Sequence, residues 1–484
     1  MTLRSAALLS AALLTGCSVP EEGYVKPRQE VVKLTDNGNY LQAEEKLVPL
    51  IKVMKSKKAK SLANTMQQLA WVYVLDGKYK EAEELASSAK FQHDKQNADD
   101  IESKILDNYT LGTIYVKQGK YDLAEPLLRE AIQLRRDTLK KDAPEPEAKI
   151  VEAPRLASLE LELGTMEFEA GQYKVAETQL NDAVKSAEAD ALAKKTNAAP
   201  ILAVALEQVA LVYQANGKYS DAEIVCNRGL RMIHDSIGMK TPQVIFACNN
   251  LMSIYSDQHR YQEVERLVKS IWHEENAIFR VGHPEVLRSK LLNMTSFSRN
   301  HPELTPAQVE SVYDHLIAEY VEQYGSESSQ LIAPYQSAGE YELSIGDFAK
   351  AETTFRAALA LARQTLKDNH PRTISILNSL AMTLGFKGLT DKSKSDLDEA
   401  KKLVREAIAK QDDSLPADHP TRARSLGILA SVLALSGDNQ GAYDTYQKYF
   451  VAAKKATYED PMERLRFMKN YQALVAKTGP KRLG

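Results

Sequence analysis

The sequence predicts an all-α fold: an α-solenoid of antiparallel helix pairs wound into a right-handed superhelix. Three observations point to it. A glycine, a polar residue and an aromatic recur as Gly-Asn-Tyr40, Gly-Lys-Tyr79, Gly-Lys-Tyr121, Gly-Gln-Tyr173, Gly-Lys-Tyr219 and Gly-Asp-Phe348. Small residues flank these glycines at fixed offsets, with Ala70, Gly112, Gly164, Ala210 and Gly339 seven before, and Ala43, Ala82, Ala124, Ala176, Ala222 and Ala351 five after. Tyr73, Tyr115, Tyr213 and Tyr255 stand four residues before a turn. Two helices joined at the glycine would cross with the small residues facing, and a chain leaving a helix at positive φ favours glycine.

From the N-terminus, Arg4 precedes the apolar run Ser5 to Leu14, which ends in Leu14-Thr15-Gly16-Cys17. A cationic start, a short apolar run and small residues read as an export signal over residues 1–16. The run is too short to cross ~30 Å of hydrocarbon. Its ending resembles the bacterial lipobox, which implies cleavage before Cys17, with lipid on its thiol and on the new amino terminus. Ser18, rather than Asp, follows; in enteric-type bacteria that resemblance implies passage to the outer membrane. The expected location is therefore the bacterial cell envelope, on the periplasmic face of the outer membrane in a Gram-negative cell. Residues 17–28, interrupted by Pro20, Gly23 and Pro27, read as a tether. No later apolar stretch approaches the ~18 residues of a membrane span.

N-terminal repeat units are expected over 29–141, central units over 156–281 and C-terminal units over 331–456. Pro144, Pro146 and Pro154 mark an insert at 142–155 between the first two groups. His259-Arg260-Tyr261 takes the place of a glycine turn, and Gly388 and Gly437 continue the series without the aromatic. A degenerate pair fills 282–330, where Asn300-His301-Pro302-Glu303-Leu304 interrupts and Thr305-Pro306 reads as an N-cap followed by proline at the first helical position. Residues 457–484 read as a solvating cap helix and tail, with Leu465, Met468, Gln472 and Val475 on its apolar face. The whole pattern resembles the tetratricopeptide repeat. Its 42-residue steps exceed the ~34 of the common form. With the links His283-Pro284, His370-Pro371 and His419-Pro420, and the segments Asn249-Asn250-Leu251 and Leu377-Asn378-Ser379, they resemble the kinesin-light-chain type.

No catalytic or cofactor-binding constellation is legible, so the reading is non-enzymatic with no cofactor and no metal. His273-Glu274-Glu275 lacks the second histidine of a zinc helix, and the Gly-Lys pairs are followed by Tyr rather than the Ser or Thr of a phosphate loop. The formal charge, 62 − 65 = −3, offers no reason to expect a nucleic-acid partner. Two cysteines, Cys226 and Cys248, are not a disulfide framework, and buried free thiols are the favoured reading. The repeat tyrosines read as helix packing, and Trp272 falls with Val268 on a core stripe.

The resemblance implies a concave face lined by residues ten, six and three before each turn. That face is neutral, polar and poor in Lys and Arg, unlike the family's clamp for a C-terminal carboxylate. Candidates to hold a partner are Trp71, Tyr109, Asn249, Asn293, Gln336 and Asn378. The asparagines either pair with an extended peptide backbone or hydrogen-bond between neighbouring helices. Trp71 either anchors a ligand or lies partly buried. The expected function is a membrane-anchored scaffold that binds a protein or extended peptide in the envelope, its oligomeric state open. A self-associating spacer without a ligand, and an enzyme with an unrecognised site, are the competing readings.

Overall fold

The structure, a computed structural model, describes residues 22–97, 99–141, 155–193, 198–237, 241–458 and 460–478. The signal 1–16, Cys17 and the insert up to residue 154 lie outside them. Among the described residues the regular structure is helical. The first ten helices are α1 (Glu22–Asp36), α2 (Tyr40–Ser56), α3 (Leu62–Leu75), α4 (Tyr79–Asn97), α5 (Ile101–Lys117), α6 (Tyr121–Lys141), α7 (Leu156–Glu169), α8 (Tyr173–Leu192), α9 (Ala198–Ala215) and α10 (Tyr219–Ile237). Then come α11 (Pro242–Asp257), α12 (Tyr261–Ile278), α13 (Pro284–Asn300), α14 (Pro306–Tyr324), α15 (Ile332–Ile345) and α16 (Phe348–Thr365). The last are α17 (Pro371–Thr390), α18 (Lys394–Ser414), α19 (Pro420–Leu435), α20 (Asn439–Lys455) and α21 (Pro461–Thr478).

Odd-numbered helices form the inner layer and even-numbered ones the outer. The inner helices of the first turn are the most deeply buried: α7 buries every residue from Ala157 to Phe168. Outer helices such as α4 bury one stripe, Ala82, Ala86, Ala89 and His93, and leave the rest to solvent. Helix pairs close on each other where the sequence supplies no side chain. A Cβ on Gly112 would stand 2.8 Å from Leu128, and one on Gly164 2.7 Å from Leu180. The residue after the turn glycine sets the register between pairs. Lys78 lies over the Tyr73 ring (5.6 Å) and donates to Glu44 of the preceding pair (2.7 Å). Lys120 with Tyr115 and Glu83, Lys218 with Tyr213 and Glu177, and Arg260 with Tyr255 and Glu223 repeat the arrangement.

The array winds tightly. Each inner-to-outer turn of the first five pairs touches the start of an inner helix five pairs later. A Cβ on Gly38 would meet Pro242, on Gly77 Pro284, on Gly119 Ser329, on Gly171 Pro371 and on Gly217 Pro420. His259 continues the series to Asp460, at 3.1 Å. The His-Pro links close this seam. Nδ1 of His283, His370 and His419 accepts the backbone N–H two residues on, capping the helix that Pro begins. Nε2–H then donates to a helix-end carbonyl one turn below: Leu75 at 2.8 Å, Glu169 at 3.0 Å and Ala215 at 2.7 Å. Accepting at Nδ1 requires the neutral imidazole, and burial pushes all three histidines down to about 4.

Several expectations are corrected. The tether ends early: α1 starts at Glu22 despite Pro27, because Arg28 is buried and bonds Gln68 of α3. Gly388 is no turn. It lies buried within α17, and the turn falls at Lys392 (φ +53°). Relative to that turn the large and small positions are exchanged: Gly388 stands where Tyr73 stands elsewhere, and Leu397 where Ala82 does. A Cβ on Gly388 would meet Leu397 at 3.0 Å. The region 282–330 forms a helix pair that departs from the others: α13 and α14 are joined through residues 301–305 without a glycine turn, and Thr305 N–H bonds Gln308 Oε1 at 2.9 Å at the start of α14. Helix α21 buries Phe467 and Leu474 and exposes Leu465, because its inner neighbour α19 offers Gly427 as a seat for the Phe467 ring. Trp272 is 55% exposed rather than core. The 18 residues of α9 are apolar enough to cross a membrane (mean hydropathy 1.4), but 78% of them are buried inside the array.

Candidate partner-binding surface

Five pairs per turn decide what the inner face can do. Five inner helices ~10 Å apart stand on a ring of radius ~8.5 Å, which leaves a lumen only ~7 Å wide. Side chains fill it in the first turn and, at α11 and α17, in the second. Trp71, 2% exposed, packs its ring 5.5 Å from that of the fully buried Tyr109. Gln67 donates to Asp107, which also pairs with His93 at 3.0 Å. Asn249, fully buried, donates to Glu285 Oε2 at 3.0 Å and to its carbonyl at 3.2 Å. Asn378, also buried, exchanges hydrogen bonds with Ser425 at 2.8 and 3.0 Å.

Four of the six candidates are thus corrected to packing roles. Trp71, Tyr109, Asn249 and Asn378 lie on the inner face, as the repeat offsets place them, but the narrow lumen leaves no surface there for a ligand. Asn293 on α13 and Gln336 on α15 are half-buried; Gln336 bonds Glu340 (2.9 Å) and Ser375 (3.2 Å). The six are spread along the array and do not converge. Cys17 lies outside the described residues. Cys226 and Cys248 are buried free thiols, and burial pushes Cys248 up to about 12.

Cations reach the inner surface from positions outside the three offsets. Arg288, Arg372 and Arg424 stand four, one and four residues after the proline of a His-Pro link, near the start of an inner helix. Arg288 and Arg372 border a cavity of about 220 Å³ that also takes in Tyr79, Glu169, Tyr320 and Tyr324. This cavity is charge-compensated: Arg372 lies 3.9 Å from Glu169, and Arg288 donates to Asn250 at 3.0 Å. Burial pushes the Tyr79 and Tyr320 phenols up. Among the described residues no group of three or more His, Cys, Asp and Glu could hold a metal ion.

Among the described residues, the inner face opens between the last inner helices. Helices α17, α19 and α21 enclose a trough of about 270 Å³ with an apolar floor. Gly385 and Gly427 bring the three helices together, since their Cβ atoms would stand 3.2 Å from Val432 and 2.5 Å from the Phe467 ring. Phe386 stacks on Phe348 at 5.7 Å, and Leu389, 56% exposed, forms the lip. Polar groups cluster along the α21 side. Arg466 lies over Phe467 (5.0 Å) and pairs with Glu463 (3.2 Å), Asn470 donates to Ser431 (3.2 Å), and Lys477 closes one end. An apolar trough with a cationic and carboxamide border suits a short segment of apolar side chains carrying an anionic group. The offsets of six and three before Gly437 reach Ser431 and Ala434 of this surface, but the sequence reading missed α21, whose register was misread.

Comparison with known proteins identifies the repeat. The tetratricopeptide-repeat family matches at residues 109–145 and 329–395, so both stretches are tetratricopeptide repeats. No curated protein matches the chain. Among solved structures, kinesin-light-chain TPR-like repeats of Podosopora anserina are 16% identical, covering 52% of this chain and 93% of theirs, with a TM-score of 0.27. NprR in complex with its cognate peptide NprX is 14% identical, covering 72% of this chain and 89% of that one, at 0.47. Yeast Tom70 is 14% identical, covering 96% and 99%, at 0.43.

Proposed function

We propose that this chain is a non-enzymatic scaffold of the bacterial envelope, anchored by lipid on Cys17, that captures a partner protein through the C-terminal trough. The observation that carries the binding reading is the contrast within one inner face. It is filled in the first turn and open between α17, α19 and α21, where Leu389 and Phe386 line an apolar hollow beside Arg466 and Lys477. A partner segment with two or three apolar side chains and a terminal or side-chain carboxylate matches that border. The anchor rests on Leu14-Thr15-Gly16-Cys17. Two or three acyl chains hold a protein stably in a bilayer, at ~0.8 kcal/mol for each buried methylene.

A photoreactive residue at Leu389 tests the trough in cells. One dominant protein adduct, lost when Arg466→Ala and Lys477→Ala are combined, supports capture. Adducts only with a second copy of this chain would favour a self-associating spacer instead. Cys17→Ala tests the anchor separately: release of the chain from the membrane fraction supports it, and an unchanged distribution contradicts it.

A further inference from the structure

Among the described residues, the N-terminal edge of the array is basic. Lys52, Lys55, Lys57, Lys58 and Lys60 are all exposed on the last turn of α2 and the link to α3. No Asp or Glu occurs between Glu45 and Asp76, in a chain whose overall charge is −3. Lys52, Lys55, Lys57 and Lys58 form no ion pair with any described residue, whereas Lys46, earlier on α2, reaches Glu30 at 2.6 Å. One or two cations complement the negative end of a helix; five exceed that need. Lys58 holds the loop at φ +49°, and beneath it Met54, Ala59 and Leu62 form a small buried cluster. Tyr24 packs against that cluster. Tyr24 is seven residues after Cys17, a span of at most ~25 Å.

From this placement we infer that the lysine loop 52–60 is a second membrane contact, seated on an anionic phospholipid surface. The inference rests on the lipid-anchor reading for its biological setting, but the loop's own charge and exposure are independent of it. Multiple lysines near an anionic bilayer act together, each strengthening attachment about fivefold (~1 kcal/mol). Val53, 44% exposed among them, adds an apolar toe at the headgroup level. Two contacts on one edge fix orientation where a lipid alone would leave a swivel. The first superhelical turn then stands on the bilayer. The trough opens two helix lengths away, about 50 Å for 17-residue helices, where a partner in the surrounding compartment reaches it.

The test uses the chain from Ser18 onward, which carries no lipid and keeps every described core residue. It is mixed with vesicles of phosphatidylcholine, with or without one-third phosphatidylglycerol. The expected result is sedimentation with the anionic vesicles only, weakened about 100-fold in Lys55→Gln/Lys57→Gln/Lys58→Gln and abolished by 1 M salt. The thermal midpoint of the variant should match the parent, since the three side chains are exposed. Binding that ignores vesicle charge, or an unchanged triple variant, would overturn the inference. So would absence of binding by the parent, and none of these outcomes depends on whether Cys17 is acylated. Sedimentation that survives 100 mM inorganic phosphate identifies the bilayer surface, rather than a single phosphate site, as the ligand.

Discussion

In the first superhelical turn, Gly77 and Gly171 hold φ of +76° and +79°, with Pro284 and Pro371 seated where a Cβ would stand, at 2.8 and 2.5 Å. In the last turn, Gly346 and Gly437 both hold φ of +83°, with nothing within 4 Å of that position. The local turn is the same, and only its cover differs. Aromatics follow every covered turn from Tyr40 to Tyr261, and Phe348 also follows the uncovered turn at Gly346. Proline starts five of the six inner helices that do the covering, at Pro242, Pro284, Pro371, Pro420 and Pro461, the exception being α15. None of the inner helices of the first turn has proline at its first position. Most covered turns and their covering helices therefore carry matching halves of one seam about 200 residues apart, and the difference between the turns shows where packing ends and an open surface begins.

Substitutions that act on one turn and spare the other sharpen this contrast. The largest effect is expected inside the first turn. Trp71→Ala should lower stability by ~3–5 kcal/mol, as for other buried aromatics, whereas Phe386→Ala at the open trough should lower it by much less. Thermal unfolding of the two purified variants compares them, and equal losses would mean that the first-turn lumen is not filled.

Gly171→Ala and Gly437→Ala separate backbone strain from cover. Both incur ~1–2 kcal/mol for an alanine at positive φ. Only Gly171→Ala adds a clash with Pro371, at ~1–3 kcal/mol more. A difference in midpoint between the variants measures the seam at a single turn.

The His-Pro seam carries a pH dependence of known sign. Burial holds His370 near 4, against 6.5 for an exposed imidazole, with Arg372 pushing it the same way and Glu169 opposing. A histidine depressed by folding stabilises fully above 6.5 and loses that contribution as pH falls towards 4. His370→Gln should be less stable than the parent at pH 7, by up to ~3 kcal/mol. The gap should close by pH 4, while Glu167 and Glu275, which burial raises to about 7 and about 8, remain common to both proteins. A gap constant from pH 7 to 4 would show that the imidazole is not held neutral. The smallest effect on stability is expected at the lip. Leu389→Asp should stay within ~0.5 kcal/mol of the parent while reducing partner capture at least tenfold.

Most of the helix-pair architecture is legible locally. Glycine at positive φ, small residues at the crossing and lysine over tyrosine are all interactions within one pair or between neighbours, so their spacing appears in the sequence. The winding is not, because it depends on contacts 201 to 208 residues apart. Without it, the inner-face offsets could be assigned but their exposure could not, and Trp71, Asn249 and Asn378 read as groove residues. The same blindness hid the trough. Its α21 wall was misread because Phe467 packs into the gap at Gly427 rather than following the stripe through Leu465. Gly388 misled for a different reason. An exchange of large and small residues across one crossing moved the glycine into the helix and left Lys392 at the turn.

One measurement reaches the five-pair turn directly. A Cβ on Gly119 would lie 3.4 Å from Ser329 Oγ, with the Ser329 Cβ itself beyond 4 Å, so cysteines at both positions stand near the upper end of the ~3.5–4.5 Å Cβ separations that a disulfide spans. In Gly119→Cys/Ser329→Cys, mild oxidation of the folded chain from Ser18 onward should produce an intramolecular bridge across 210 residues, visible as faster migration on a non-reducing gel. Two thiols that both react with a maleimide yet never bridge would contradict the closed seam, and with it the division between a filled first turn and an open last one.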